Sequence, residues 1–329
     1  MEWTCWTLRG SEVERVGGRL GENRLRLHEV VVHGRKFPLN EVVDCLGNGS
    51  VILMHGVIAE HADTLMEEIA TAVGLQEELE LQAGFAAFLG HRTSVGRFFM
   101  TVNSRSDFQF IGPHSEGDGN INMQLAAFFC FENTTDGGET VLLEVDEESA
   151  SWCSLRESVT RLAGSSRPLT LREFARVRAV HRLRSPADYV KASDRVFSEK
   201  RSDLPGVQLA HVLAEPEKAF SRLLDRKIFT YWDTISAVDH TSLTEFARLL
   251  DDFRLLKRPQ HAADLSSMDS MKNDRIWSSN VGFERIFKSA LILRLTSGDL
   301  VICSNHKWAH AAANWTPSTG VRRIAAAFA

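Results

Sequence analysis

Apolar positions recur along the first part of the chain with two different periods. Over residues 59–73, Ala62, Leu65, Met66, Ile69 and Val73 fall on one stripe at the three-and-four spacing of an α-helix, and Gly74 ends it. A shorter helix is predicted over 38–46. Pro38 takes the first position, where no backbone N–H is required, Val42, Val43 and Leu46 share a face, and Gly47 stops it. Between the two lies SVILMHGV, residues 50–57, an apolar run of strand length. After Gly96 the runs shorten. Residues 97–102, 109–114, 123–131 and 139–145 read as strands separated by Gly, Asp and Asn turns. Residues 146–279 are charged and mostly helical in pattern. The clearest helix there begins at a capping box, Ser242 with Glu245, and carries Leu243, Phe246, Leu249, Leu250 and Phe253 at helical spacing. Strands return at 289–296, 300–304 and 322–328.

Short strands at both ends with a helical stretch between them predict an α+β chain with a mainly β core. The expected architecture is a double-stranded β-helix (jelly roll) in which early and late strands pair across the middle, with flanking N-terminal helices. Residues 1–329 would form a single domain, and 146–279 a large helical insert lying over one mouth of the barrel as a lid. No internal repeat or low-complexity segment is present.

Composition narrows the class. Of 329 residues, 43% are hydrophobic and 25% charged, so a sizeable core is available. A net charge of −5 gives no basic surface for nucleic acid or an anionic membrane. The five cysteines are odd in number and form no CxxC pair, which argues against a disulfide framework or a zinc knuckle. The first ten residues lack a basic region followed by an apolar run, and apolar stretches such as 125–131 are too short to cross a bilayer. A cytoplasmic protein acting on a small-molecule substrate is the expectation.

The residues with the sharpest chemistry are in Gly112-Pro113-His114-Ser115-Glu116. Residues two apart on a strand point to one face, so the His114 imidazole and the Glu116 carboxylate converge. Asn305-His306-Lys307-Trp308-Ala309-His310 offers a third ligand, His310, with His306 as the competing choice. Two histidines and one carboxylate on one face leave metal positions open, which is the donor set of non-haem iron(II) oxygenases. A closed structural zinc site would normally take four ligands, often with cysteine.

Two further features bear on a cosubstrate. Arg322-Arg323 lead an apolar run, Ile324 to Phe328, that should be a buried strand, so one arginine faces in and the other out. A buried guanidinium requires an anion, and a carboxylate matches its planar fork. A dicarboxylate such as 2-oxoglutarate would supply one. In Asp136-Gly137-Gly138-Glu139-Thr140 the glycines make a turn, and the Thr140 hydroxyl could donate to the same carboxylate.

In this order the chain resembles the taurine dioxygenase and clavaminate synthase-like superfamily of iron(II)/2-oxoglutarate oxygenases. The carriers are His114-Ser115-Glu116, Gly137-Gly138-Glu139-Thr140, His310, and Arg323 thirteen residues beyond it. Residues 298–305 are similar to the family's strand leading to the distal histidine, and 38–57 to its N-terminal unit. The match covers roughly 37–145 and 289–329 and leaves the middle of the chain without a counterpart. The resemblance implies iron(II) held by His114, Glu116 and His310, with 2-oxoglutarate and O2 as cosubstrates. It implies Arg323, helped by Thr140, on the distal carboxylate of 2-oxoglutarate, chosen over Arg322 by spacing. The implied reaction is oxidation of a C–H bond, by default hydroxylation, with desaturation or cyclisation as alternatives; the rivals are an oxygenase not using 2-oxoglutarate and a non-catalytic jelly-roll protein that binds metal or 2-oxoglutarate. Related halogenases lack the carboxylate, and Glu116 is present. The position of the family's sulfonate-binding arginine is Ala327, and its Gly-Arg after the distal histidine is Ala311-Ala312, so a taurine-like sulfonate is not expected. Arg97, Arg105, Phe108 and Gln109, just upstream of His114, are the candidate substrate contacts. A small polar metabolite, an amino acid or a natural-product intermediate, would suit them.

Overall fold

The structure is a computed structural model that describes residues 3–7, 27–89, 93–102, 108, 110–116, 123–150, 158–181, 189–190, 195–202, 204–213, 218–221, 226–229, 240–258 and 287–329. Its centre is two sheets. The five-stranded one runs in the order β1 (Trp3–Thr7), β13 (Phe287–Leu293), β7 (Thr140–Val145), β15 (Trp308–Ala312), β5 (Ile111–His114). The six-stranded one runs β2 (Leu27–Val31), β3 (Val51–His55), β14 (Leu300–Ser304), β6 (Leu125–Asn133), β16 (Arg322–Phe328), β4 (Met100–Thr101). In the first, strands from before residue 146 alternate with strands from after residue 286, and in the second they do so from β3 onwards, as the pairing across the middle requires. All neighbours are antiparallel except β2 with β3.

Side-chain alternation sorts the apolar residues into layers. From β6, Ala126, Phe128 and Cys130 turn inward; from β16, Ile324, Ala326 and Phe328 do the same, meeting Leu142, Leu291 and Trp308 of the other sheet. The opposite faces of those strands, Leu125, Ala127, Phe129, Ala325 and Ala327, pack on the N-terminal helices. Those are α1 (Leu39–Gly47), with Val42 and Leu46 buried, and α2 (Ala59–Ala72), with Leu65, Met66 and Ile69 buried. Both lie where the apolar spacing predicts, within a residue or so. A third helix, α3 (Gln76–Leu89), was not anticipated, because its apolar residues do not form one stripe; Leu79 is buried while Leu81 is exposed. On the far side of the five-stranded sheet, Phe246, Leu249 and Leu250 cover Val141, Leu143 and Ala309. They belong to the capping-box helix, observed at His240–Asp252. The order is therefore helices, sheet, sheet, helix.

The middle of the chain corrects the expectation of a mostly helical insert. β8 (Ser158–Ser165), β10 (Val207–Leu213) and β9 (Arg195–Arg201) form a three-stranded antiparallel sheet, and β11 (Lys218–Ser221) pairs with β12 (Arg226–Phe229). Among the described residues, the helices there are α4 (Leu171–His181) and α5, the His240–Asp252 helix. Charge misled the sequence reading: RVFSEKR is full of long charged residues, yet antiparallel pairing on β10 makes it a strand. One face of this sheet buries Leu162, Val207 and Leu209 against Val177 of α4, a small core of its own. Among the described residues, which hold five helices, none is long and apolar enough to cross a membrane.

Candidate metal centre and cosubstrate pocket

The two histidines meet across one strand pair. His114 ends β5, His310 lies in β15, and they are register partners with ring centroids 4.2 Å apart. β15 is held by pairing on both sides, to β7 and β5, although the sequence placed His310 just after a strand. WAHAA has little intrinsic strand preference, and tertiary pairing makes it one. Phe128 and Phe328 flank the His310 ring at 4.9 and 6.2 Å and keep the site apolar.

Glu116 lies two residues beyond His114, past the end of β5. Its Oε1 is 3.9 Å from His114 Nε2. His114 Nδ1 is 3.0 Å from the Gly112 carbonyl, which only accepts, so Nδ1 carries a ring hydrogen and Nε2 is the atom directed at the Glu116 carboxylate. One donor atom from each of His114, Glu116 and His310 lies within 4.8 Å of the others. His306 sits in the turn before β15, outside this group.

The three open into a cavity of about 50 Å³ between the sheets, walled by Phe128, Ile324, Ala326 and Phe328. Thr140, the buried first residue of β7, reaches it, as does Arg322. Arg323 does not. It is exposed, its guanidinium lying 5.7 Å from the Phe131 ring. The arginine facing the cavity is thus Arg322, which corrects the choice of Arg323. Strand parity is the reason: Arg322 shares the inward face with Ile324, Ala326 and Phe328. That signal was present in the sequence, since the bulky members of the run mark the face opposite Ala325 and Ala327.

Arg322 is held by its Nε–H, which donates to the Gly138 carbonyl at 2.8 Å, and by the Trp315 ring, 5.9 Å from its guanidinium carbon. Burial pushes its pKa down to about 10, opposed by nearby Cys130 and Glu139, so it stays a cation at neutral pH. The 135–139 turn is fixed from the other side by Arg294, which donates to the carbonyls of Thr135 and Gly137 and pairs with Glu139 at 3.2 Å. Burial raises the Glu139 carboxyl above its usual range, partly offset by Arg294. Gly137 has no room for a side chain, because a Cβ would sit 2.2 Å from the Asn314 carbonyl oxygen.

The candidate substrate residues fare differently. Arg97 is exposed and pairs with Glu67 and Glu80 of the N-terminal helices. Phe108 packs on the outer cluster with α5, and its carbonyl accepts from Asn314. Neither lines the cavity. Arg105 and Gln109 lie outside the described residues. A residue that sequence reasoning missed is Asn305, whose fully buried side chain bonds to the backbone of Glu116.

No family model matches this chain, and no curated protein matches it. Among solved structures it is similar to a putative alpha-ketoglutarate-dependent 2,4-D dioxygenase from Burkholderia xenovorans, with TM-score 0.38, 13% identity, and 94% and 95% of the two chains covered. It is similar to AAD-2 in complex with Mn(II) and N-oxalylglycine at TM-score 0.39 and 12% identity, covering 94% of this chain and 95% of that one. For PvcB from Pseudomonas aeruginosa the values are 0.37 and 12%, with 99% and 91% covered. Likeness of this degree leaves the chemistry to be argued from the chain's own residues.

Proposed function

We propose that this chain is an iron(II)- and 2-oxoglutarate-dependent oxygenase that oxidises a C–H bond of a small molecule, with the two sheets as the halves of a double-stranded β-helix. The observation that carries the reading is the convergence of His114, Glu116 and His310 on one cavity that also receives a half-buried arginine, Arg322. The donor set fits the metal: two imidazoles and one carboxylate would hold iron(II) and leave coordination positions open. Arg322 fits the cosubstrate. Its Nε is used on Gly138, and its terminal nitrogens form the fork that a carboxylate matches. When bound, iron(II) with 2-oxoglutarate supplies the oxidising chemistry, in which O2 is consumed, succinate and CO2 are released and the substrate gains an oxygen.

The chain's own residues supply placement. Gly112 fixes the His114 tautomer so that Nε2 is the ligand atom. Phe128 and Phe328 keep water from His310 and from the oxidising centre. Arg322 and Thr140, which line the cavity with the three donor residues, would hold the distal carboxylate of 2-oxoglutarate. The substrate is proposed to be a small polar metabolite, an amino acid or a biosynthetic intermediate, with hydroxylation as the default outcome.

An anaerobic titration of metal-free protein with iron(II) and 2-oxoglutarate tests this. The expected result is a weak visible charge-transfer band that needs both additions and is absent in His114→Ala. Iron bound with no band on adding 2-oxoglutarate would overturn the cosubstrate assignment and favour an oxygenase that does not use it.

A further inference from the structure

Glu116 lies beyond the last residue of β5, and its side chain has three rotatable torsions. Its backbone is nonetheless held from both sides by one side chain. Asn305 Oδ1 accepts the Glu116 N–H at 3.2 Å, and Asn305 Nδ2 donates to the Glu116 carbonyl at 2.8 Å. The same Nδ2 donates to the Met123 carbonyl at 2.9 Å, and the Asn305 backbone N–H to the Gln124 carbonyl at 2.8 Å. The amide orientation follows from its partners, since a flipped amide would set its oxygen against two carbonyls. Asn305 thereby ties together the two ends of the segment that leaves Glu116 and returns to β6. It also sits in the turn joining β14 of one sheet to β15 of the other, the strand that carries His310. Trp308, three residues on, anchors that strand by donating from Nε1 to the Gly49 carbonyl at 2.9 Å.

The geometry points to Asn305 as a positioning residue that fixes the Glu116 carboxylate relative to His114 and His310, so that a divalent metal meets three donors already in place. This rests on the reading that those three hold a metal. Asn305 does not touch the metal; it acts through the Glu116 peptide. A purely structural amide would stabilise the turn without changing the donor geometry.

Cobalt(II), whose visible spectrum reports ligand geometry, separates the two in a titration of the whole chain, Asn305→Ala, Glu116→Ala and the double variant, with melting temperatures alongside. Loss of a group that orients a ligand typically weakens metal affinity about 10–100-fold, and that loss with an altered band shape is expected for Asn305→Ala. Added to Glu116→Ala, it should weaken cobalt binding no further, because its route to the metal is already gone. Asn305→Asp keeps the size but loses both donors and should match the alanine variant. Asn305→Ser, for use should the alanine chain not fold, should fall between. The proposal is overturned if Asn305→Ala or Asn305→Ser binds cobalt as tightly as the unmodified chain with the same spectrum, whatever its melting temperature. Additive losses in the double variant would overturn it equally. Failure of the unmodified chain to bind cobalt would remove the metal-site reading itself, and this proposal with it.

Discussion

Arg322 and Arg323 are neighbours on one strand with opposite surroundings, and the difference is one of parity. The first is enclosed by the cavity wall, the Gly138 carbonyl and Trp315; the second is exposed over Phe131. A hydrogen bond to a charged group contributes about 1.5–3 kcal/mol, so on the role proposed for Arg322 its loss should weaken 2-oxoglutarate binding well over tenfold. Arg322→Met is expected to do so in the iron-loaded protein, read by the charge-transfer band as 2-oxoglutarate is added. Arg323→Met should leave the affinity within about twofold, as exposed pairs contribute little. The reverse pattern would return the role to Arg323. At this scale the approach of His114 to Glu116 was legible because residues two apart point to one side, although Glu116 itself lies past the end of β5. Arg323 was favoured by family spacing, which tolerates one residue either way, whereas the strand face turns Arg322 to the cavity.

Among the elements, those with a clean period were found and those without were missed. α1, α2, β14 and β16 lie where their patterns predict. β15 was missed because alanine-rich WAHAA becomes a strand only between two partners, and β9 because its charges resemble a solvated helix. One link between elements carries a pH signature. His55, the last residue of β3, has Nδ1 2.8 Å from Asp299 Oδ1, in the turn before β14, and Nε2 3.6 Å from Glu29 of β2. Its pKa is raised, first by the hydrogen bond to Asp299, against an opposing effect of burial. A group whose folded pKa exceeds its unfolded value contributes stability that is fully present below the unfolded pKa. That contribution is lost as pH rises through the folded value. The gap in melting temperature between the unmodified chain and His55→Gln should therefore be largest near pH 6 and shrink by pH 8. A gap that stays constant or widens with pH would refute this role for the ion pair.

At the scale of the whole molecule, the middle segment departs and returns at one point. β7 ends at Val145, β13 begins at Phe287, and the two residues are register partners. The double sheet is thus closed without residues 146–286, and the three-stranded sheet of that segment has its own core around Leu162, Val177, Val207 and Leu209. Truncating a buried leucine typically costs about 2–5 kcal/mol. In Leu209→Ala that loss is expected to fall on β8–β10, raising their amide hydrogen exchange, while β6, β14 and β16 keep their protection and cobalt binding is unchanged. Accelerated exchange throughout the double sheet would show instead that the two parts unfold together.

The sequence by itself determined the helices α1 and α2, most core strands, the approach of His114 to Glu116 and the need for early and late strands to pair, because those follow from local period and fixed side-chain direction. Tertiary structure alone decided that β15 is a strand, that the middle segment holds a sheet, and that Asn305 holds the peptide of Glu116. Each of those depends on what a neighbouring strand or a distant turn offers, through hydrogen bonds between residues far apart in the chain, and no local pattern encodes a partner 189 positions away.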